Sequence, residues 1–96
     1  MKREYKKIAV KIYLKNKKRH RIDGPAVISG SGYEFWYKNG ILDRDDGPAF
    51  IDKIDYYEAW YKDNELHRLD GPAETYSNGN NYWYKNGVLH REEERQ

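Results

Sequence analysis

The side chains best suited to chemistry in this chain are histidine, arginine and aspartate, which occur together as His67, Arg68 and Asp70. With such spacing the imidazole could act as a general base, the guanidinium could hold an anion and the carboxylate could orient the imidazole. The alternative is structural: Arg and Asp two residues apart would form a charge ladder with neighbouring repeats, and Asp would cap the following turn. A catalytic group is needed once, whereas this sequence motif recurs along the chain. We therefore predict that the protein is not an enzyme.

The motif recurs because the chain repeats one longer segment, which we call the phrase. It occurs as WYKNGILDR from Trp36, WYKDNELHR from Trp60 and WYKNGVLHR from Trp83. A looser copy begins at Tyr13, and the four rings lie 23 or 24 residues apart, a period typical of repeat architectures. We call each copy a unit. Three units continue as Asp-Gly-Pro-Ala, whereas the last ends in acidic residues that suit the polar outer face of a terminal cap. The recurring positions after the ring are lysine (Lys15, Lys38, Lys62, Lys85), histidine (His20, His67, His90), arginine (Arg21, Arg44, Arg68, Arg91), aspartate (Asp23, Asp46, Asp70), glycine (Gly24, Gly47, Gly71) and proline (Pro25, Pro48, Pro72).

Two sets of side chains could ligate a metal ion. The three histidines could bind zinc, but residues related by a repeat would form a row and would not converge on one ion. Asp43, Asp45 and Asp46 stand beside Gly47 and hint at calcium, yet they lack the ligand spacing of a calcium-binding loop. We therefore predict neither a metal site nor a cofactor.

The period inside each unit is that of a β-strand. In VKIYLK (10–15), YEFWYK (33–38), YEAWYK (57–62) and NYWYK (81–85), side chains alternate between two faces. One face is predicted to be the core, and it comprises Ile12, Leu14, Phe35, Tyr37, Ala59, Tyr61, Tyr82 and Tyr84. The ring that opens each phrase lies on the opposite face.

The turns follow from residues that accept positive φ. Asn39-Gly40 and Asn86-Gly87 predict two-residue type I′ turns, and Asp63-Asn64 serves the same turn. Asn16-Lys17 fits it poorly and predicts a longer turn. AVIS, AFID and AETY after Gly-Pro predict return strands, with turns at 29–32 and 77–80. The predicted fold class is all-β, an elongated antiparallel meander of about four hairpin units without a helix.

The face opposite the core carries the candidate binding residues. These are Tyr13, Trp36, Trp60 and Trp83, the row of Lys15, Lys38, Lys62 and Lys85, and Arg68. An aromatic strip edged by positive charge could stack nucleobases, each contributing about 1–3 kcal/mol. Alternatively, the Gly-Pro-Ala turns fold over the rings and bury them as a second small core, because a lone twisted sheet needs cover. We favour the covered arrangement.

Composition and charge limit the class of protein. The 96 residues suit one domain, 1–96, and an aromatic content of 16% argues against disorder. Because cysteine and long apolar runs are absent, we expect a cytoplasmic protein without disulfides or a membrane span. Ten basic residues and one acid lie through Arg21, whereas eight basic residues and fifteen acids follow. The basic end could contact nucleic acid or another anionic ligand, protect an edge strand, or associate head-to-tail with the acidic end.

The aromatic strand, the Asn-Gly turn and the HRxDGPA phrase of residues 12–91 resemble MORN-type β-hairpin repeats. They are most similar to the form found in small proteins of tailed phages and large DNA viruses. The chain then divides into a basic N-terminal strand or cap (1–11) and units 12–35, 36–59, 60–82 and 83–96, the last as a C-terminal cap. The resemblance implies a phage-encoded inhibitor of a host factor, such as a defence protein, acting in the host cytoplasm.

Two functions are consistent with this sequence. The first is a protein–protein interaction module whose rigid sheet face or edge binds a host or partner protein, and whose free edge could also form a homodimer. The second is a sponge that binds a nucleotide or another anionic aromatic ligand on Trp36, Trp60, Lys38, Lys62 and Arg68. We favour the interaction module.

Overall fold

The computed structural model describes residues 9–95, which form strands and turns without a helix. Residues 1–8, the start of the predicted basic strand or cap, lie outside this range, as does Gln96. Nowhere in the described range is there a helix with the length and hydropathy needed to cross a membrane. The strands are β1 (Val10–Ile12), β2 (Leu14–Lys15), β3 (Lys18–Arg19), β4 (Val27–Ser29), β5 (Tyr33–Phe35), β6 (Tyr37–Lys38), β7 (Ile41–Leu42), β8 (Phe50–Asp52), β9 (Tyr57–Ala59), β10 (Tyr61–Lys62), β11 (Glu65–Leu66), β12 (Glu74–Thr75), β13 (Asn81–Lys85) and β14 (Val88–Glu93).

Eight of these strands form one antiparallel sheet in the order β1-β4-β5-β8-β9-β12-β13-β14. Strands β2 and β3, β6 and β7, and β10 and β11 form three separate hairpins. Neighbours in the large sheet follow one another along the chain once these hairpins are set aside, so the sheet is a meander. The predicted all-β, antiparallel fold is confirmed for the described residues, and the three return strands appear as β4, β8 and β12.

The chain passes from the large sheet into a hairpin at the ring residue of the phrase. Trp36 lies between β5 and β6, where its backbone N–H donates to the Ala49 carbonyl at 2.7 Å. Its own carbonyl accepts from the Asp43 N–H at 3.1 Å, which closes the hairpin. Tyr13 and Trp60 occupy the same position. In the last unit, β13 runs on without this break and pairs with β14 through a register shift at Trp83.

All four hairpins turn on two residues with positive φ. Asn39 and Gly40 have φ of 50° and 79°, and Asn16 and Lys17 have 51° and 63°. The prediction of a longer turn at Asn16-Lys17 is therefore wrong. A lysine in this conformation costs on the order of 1–2 kcal/mol. The second hairpin stacks on the first, with the Gly40 N–H donating to the Arg19 carbonyl at 2.8 Å. This tertiary contact fixes the two-residue turn at Asn16-Lys17 despite the cost of the lysine conformation.

The sheet has a thin core. The buried apolar residues of the described chain are Ala26, Ala49, Ala59 and Ala73, and no large side chain there is fully buried. Ile12 and Leu14, predicted in the core, are 49% and 63% exposed. The prediction is wrong for Ile12 because β1 is an edge strand of the large sheet in the described chain. It is wrong for Leu14 because β2 lies in the first hairpin, which in the described chain has another hairpin stacked on one side only.

Aromatic rings take the place of a second layer. Phe35 lies 4.6 Å from Phe50, Phe50 lies 5.6 Å from Tyr57, and Tyr57 lies 4.8 Å from Tyr76. Such ring pairs contribute about 0.5–1.5 kcal/mol each beyond the area they bury. We call this surface the aromatic face, and its ring contacts join Tyr33, Phe35, Tyr37, Phe50, Tyr57, Tyr76 and Tyr82. The molecule is a plate of 50 × 40 × 18 Å.

Candidate functional site: the arginine clusters and the aromatic face

Each arginine of the repeated phrase packs on the ring of its own unit. The distances from Cζ to ring centre are 4.2 Å for Arg21 on Tyr13, 3.7 Å for Arg44 on Trp36, 3.9 Å for Arg68 on Trp60 and 4.3 Å for Arg91 on Trp83. A guanidinium over an aromatic face is attracted by about 0.5–2 kcal/mol, depending on desolvation. The surface that carries these rings is called the motif face below.

Two further contacts fix each guanidinium in the first three units. Arg68 Nε donates to Asp70 Oδ1 at 3.1 Å, and Nη1 donates to the Pro72 carbonyl at 3.2 Å. Arg21 and Arg44 make the same pair of bonds in their own units. We call this set of ring, arginine, aspartate, glycine and proline an arginine cluster. Because charge-assisted bonds are directional, the cluster holds the Gly-Pro turn against the ring.

The glycine of the cluster is required for space. A Cβ added at Gly47 would lie 2.5 Å from Arg44 Cζ, and one added at Gly71 would lie 2.8 Å from Arg68 Cζ. Gly47 and Gly71 have no positive φ that would demand glycine. The guanidinium therefore rests directly on the glycine backbone, a role that sequence reasoning missed. The signal was present, because arginine precedes glycine by three residues in every complete copy of the phrase.

The clusters decide between the two arrangements predicted for the ring column. The Gly-Pro turn does cover the ring, but a guanidinium lies on the ring and against the turn. The three Trp residues are half-buried, and Tyr13 is 37% exposed. Within residues 9–95, no ring contact joins two members of the column. The predicted charge ladder between units is wrong, since each Arg–Asp pair lies within one unit.

The histidines connect consecutive units. His20 Nδ1 accepts the Asn39 backbone N–H at 3.0 Å, and His67 Nδ1 accepts that of Asn86 at 3.0 Å. Both acceptors reach the turn of the next unit. In the described chain the hydrogen bond of Asp70 comes from Arg68 and not from His67. The three residues that could form a catalytic group thus hold different parts of the fold.

The second unit replaces histidine with Asp43 and makes its connection through ion pairs. Lys62 Nζ lies 3.1 Å from Asp43 Oδ1 and 2.7 Å from Asp45 Oδ1. The hydrogen bond between Lys62 and Asp45 is the main reason that the lysine pKa is raised and the Asp45 pKa lowered. One lysine of the predicted basic row is therefore already paired with carboxylates.

A groove lies beside Trp60 on the motif face, with a volume of about 410 Å³. Arg44, Lys62 and Arg68 contribute positive charge to its wall, and the pocket also contains Asp45 and Asp70. Each of the three cations holds a carboxylate, since Arg44 pairs with Asp46 at 3.2 Å. An anionic ligand would have to compete with these acids. A smaller groove of about 260 Å³ lies beside Trp36.

The aromatic face contains a buried acid that the repeat does not explain. Glu74 is 9% exposed and accepts hydrogen bonds from the hydroxyls of Tyr57 and Tyr76, the latter at 3.3 Å. Burial, followed by the charge and hydrogen bonding of Glu74, raises the pKa of both tyrosines. The corresponding residues of the first two units are Val27 and Phe50, which pair with the same strand position. An acid at a position that is apolar in the first two units was the signal in the sequence.

No group of three His, Asp or Glu side chains that could hold a metal ion occurs within the described range. Comparison of the chain with family models, with curated proteins and with solved structures gives no match. Function is therefore inferred from the residues and their geometry.

Proposed function

We propose that this protein is a non-enzymatic module that binds a partner protein on its aromatic face, and that it is built from four MORN-like units of 23 or 24 residues. The observation that carries the proposal is the continuous row of half-buried and exposed rings, which has no second layer over it in the described chain. Tyrosine and phenylalanine are enriched where proteins bind one another, because they bury much area with few rotatable bonds.

The charge of this face favours a protein over a nucleic acid. Asp52 and Glu74 lie among the rings, and Arg19, 5.6 Å from the Tyr37 ring centre, is the cation that packs there. Phosphate contacts require clustered Lys and Arg. A partner with an apolar patch would instead pack on the rings and find the tyrosine hydroxyls at hand for hydrogen bonds.

The resemblance to phage proteins supports a host protein as that partner and inhibition in the host cytoplasm as the outcome. A flat and rigid sheet face suits this role because little conformational entropy is lost on docking. The motif face would then serve the fold, since its charged groups already hold one another.

Photocrosslinking from the two faces tests the proposal. A benzophenone amino acid would replace Tyr76, 41% exposed on the aromatic face, or Ile22, 76% exposed beside the Trp36 groove. We expect the benzophenone at position 76 to crosslink to one discrete protein in a host lysate. An excess of unmodified chain should prevent this crosslink. The benzophenone at position 22 should crosslink to no protein. Equal labelling from both positions, or none from position 76, would contradict docking on the aromatic face.

A nucleotide sponge is the second candidate, favoured by the placement of Trp60 beside Arg44, Lys62 and Arg68 in one groove. Titration calorimetry with mono- and cyclic nucleotides decides between the two. Heat that disappears in Trp60→Ala but persists in the matched change Trp83→Ala would support the groove as a site. No heat with any nucleotide would remove this candidate.

A further inference from the structure

Consecutive hairpins join through a recurring set of contacts. In the large sheet, the return strand after one hairpin pairs with the strand that leads into the next hairpin, with Ile51 opposite Glu58 and Phe50 opposite Ala59. In the hairpins, a carbonyl of one unit accepts an N–H from the following turn, as Leu66 accepts from Gly87 at 2.9 Å. After the first and third units, histidine at the next position accepts a second N–H from that turn, whereas after the second unit Asp43 pairs with Lys62. A unit therefore presents one binding half on each side.

The last unit carries the forward half of such a junction. Glu92 stands opposite Tyr82, as Phe50 stands opposite Phe35, so Glu92 and Glu93 correspond to Phe50 and Ile51. Leu89, which stands opposite Tyr84, occupies the place of Leu66 in its hairpin, and His90 follows it as His67 does. Among the strands that the structure describes, β14 pairs with β13 alone.

The first unit carries the receiving half. Lys11 and Ile12 correspond to Glu58 and Ala59, because Ile12 stands opposite Val27 as Ala59 stands opposite Glu74. The turn Asn16-Lys17 has the same positive φ as Asn86-Gly87, the turn that docks on the third unit. In the described part of the chain, β1 pairs with β4 alone.

We propose that the chain binds a second copy of itself head-to-tail, with β14 of one copy pairing antiparallel to β1 of the next. The repeat register places Glu93 opposite Lys11 and Glu92 opposite Ile12 of the following copy. It also places the Leu89 carbonyl and His90 Nδ1 where they accept the backbone N–H groups of Lys17 and Asn16. The contact thus reproduces the junctions that the chain already makes after its first and third units.

Charge and exposure both fit this occupant. The receiving end carries Lys11, Lys15 and Lys17, and the forward end carries Glu92, Glu93 and Glu94. Opposite charges across adjacent strands favour pairing, whereas like charges oppose it. Both ends also expose apolar side chains. These are Val10 (52%), Ile12 (49%) and Leu14 (63%) at one end and Val88 (65%) and Leu89 (44%) at the other.

The two surfaces differ, so the contact is heterologous and each copy keeps one free end. Such contacts extend into open chains, or into rings if the rotation per copy closes. A chain of copies would join the aromatic faces of neighbouring molecules along one sheet. Its partner would then meet several binding faces at once, which raises avidity without any new contact.

Sedimentation velocity over a concentration series tests the proposal with charge reversals. The unmodified chain should form a series of oligomers, and their average size should fall as added salt screens the charges. Lys11→Glu alone and Glu93→Lys alone should each place like charges opposite one another and weaken association about tenfold or more. The double variant Lys11→Glu/Glu93→Lys restores the opposite pair and should associate as the unmodified chain does.

Circular dichroism of each variant checks that the sheet is retained, since both positions are exposed. A monomer at the highest attainable concentration would overturn the proposal. So would a dimer that only one of the two single reversals disturbs, because a two-fold contact between identical edges involves one end only. Failure of the double variant to regain association would likewise contradict the Glu93–Lys11 register.

Discussion

The two faces of this plate are built from the same strands but in different ways. On the motif face, each ring, arginine, aspartate and proline carbonyl is bound within its own unit, with Arg44 3.7 Å from the Trp36 ring and 3.2 Å from Asp46. On the aromatic face, rings contact rings of neighbouring strands, and partners change from unit to unit. The repeated phrase therefore holds groups together within each unit, whereas the residues of the aromatic face vary, as the proposed role in binding a partner requires.

The fourth unit sharpens the comparison because it keeps the ring and the arginine but lacks Gly-Pro. Arg91 lies on Trp83 at 4.3 Å and pairs with Glu93 at 3.2 Å, yet its side chain is 60% exposed against 25% for Arg68. The stack thus forms without the turn. The turn buries it and makes it part of the structure.

The largest losses are expected when a guanidinium is displaced or removed. In Gly47→Ala, the new methyl group would lie 2.5 Å from Arg44 Cζ, so the guanidinium must move off the ring, and the loss is at most that of its contacts, about 2 kcal/mol. Urea unfolding measures the loss. In an Arg44→Ala background the clash is absent, so the same glycine change should cost much less. Equal losses in both backgrounds would show that the arginine is not the cause.

A comparable effect should follow removal of a half-buried arginine. Arg68→Ala deletes the stack on Trp60, the Asp70 pair and the Pro72 hydrogen bond. We expect a loss of about 2 kcal/mol, from roughly 1 kcal/mol each for ring and hydrogen bond. Arg91→Ala is the matched change in the exposed unit and should cost less than half as much. A larger loss from Arg91→Ala than from Arg68→Ala would contradict the claim that the Gly-Pro turn increases the contribution of the stack to stability.

A smaller loss of about 1 kcal/mol at neutral pH is expected for Glu74→Gln, since bonds to a charged acceptor are stronger than those to a neutral amide. The pKa of Tyr57, Tyr61, Tyr76 and Tyr84 is raised by burial and by Glu74. The folded chain then holds protons that the unfolded chain releases above pH 10, so stability present below pH 10 falls as pH rises further. Urea unfolding from neutral to alkaline pH should show a shallower fall in Glu74→Gln. Glu58→Gln, at an exposed residue, should keep the original slope.

The smallest effect is expected at the histidine connection. His67→Ala removes the acceptor for the Asn86 N–H, which is exposed and can bond to water instead, so stability should fall by about 0.5 kcal/mol. His90→Ala, at an exposed residue, should leave a dilute sample unchanged. Thermal unfolding of both variants gives the comparison. An unchanged melting temperature for His67→Ala, together with loss of an activity, would favour a catalytic role.

Local signals predicted much of this fold. The Asn-Gly turns, the return strands and the alternation of Phe35 and Tyr37 with Trp36 follow from φ preference and a period of two. Asn16-Lys17 was predicted wrongly because its turn is set by the hairpin stacked on it and not by its own residues.

The site could be predicted only in part. The phrase showed which residues recur, but the Arg–Asp pair could equally lie within a unit or between units. The choice depends on how the Asp-Gly-Pro loop folds back, and spacing alone does not give that path. The role of Gly47 follows from the same three-dimensional contact. Glu74 was missed because alignment on the phrase draws attention away from a residue that does not repeat.

The most direct test of the central claim is a double-mutant cycle on Trp60 and Arg68, followed by urea unfolding. If the arginine stabilises the fold through the ring, Trp60→Leu and Arg68→Ala should together cost less than the sum of their separate losses, with a coupling of about 1 kcal/mol or more. Losses that simply add would contradict the claim that the repeated phrase exists to fasten a guanidinium to its ring.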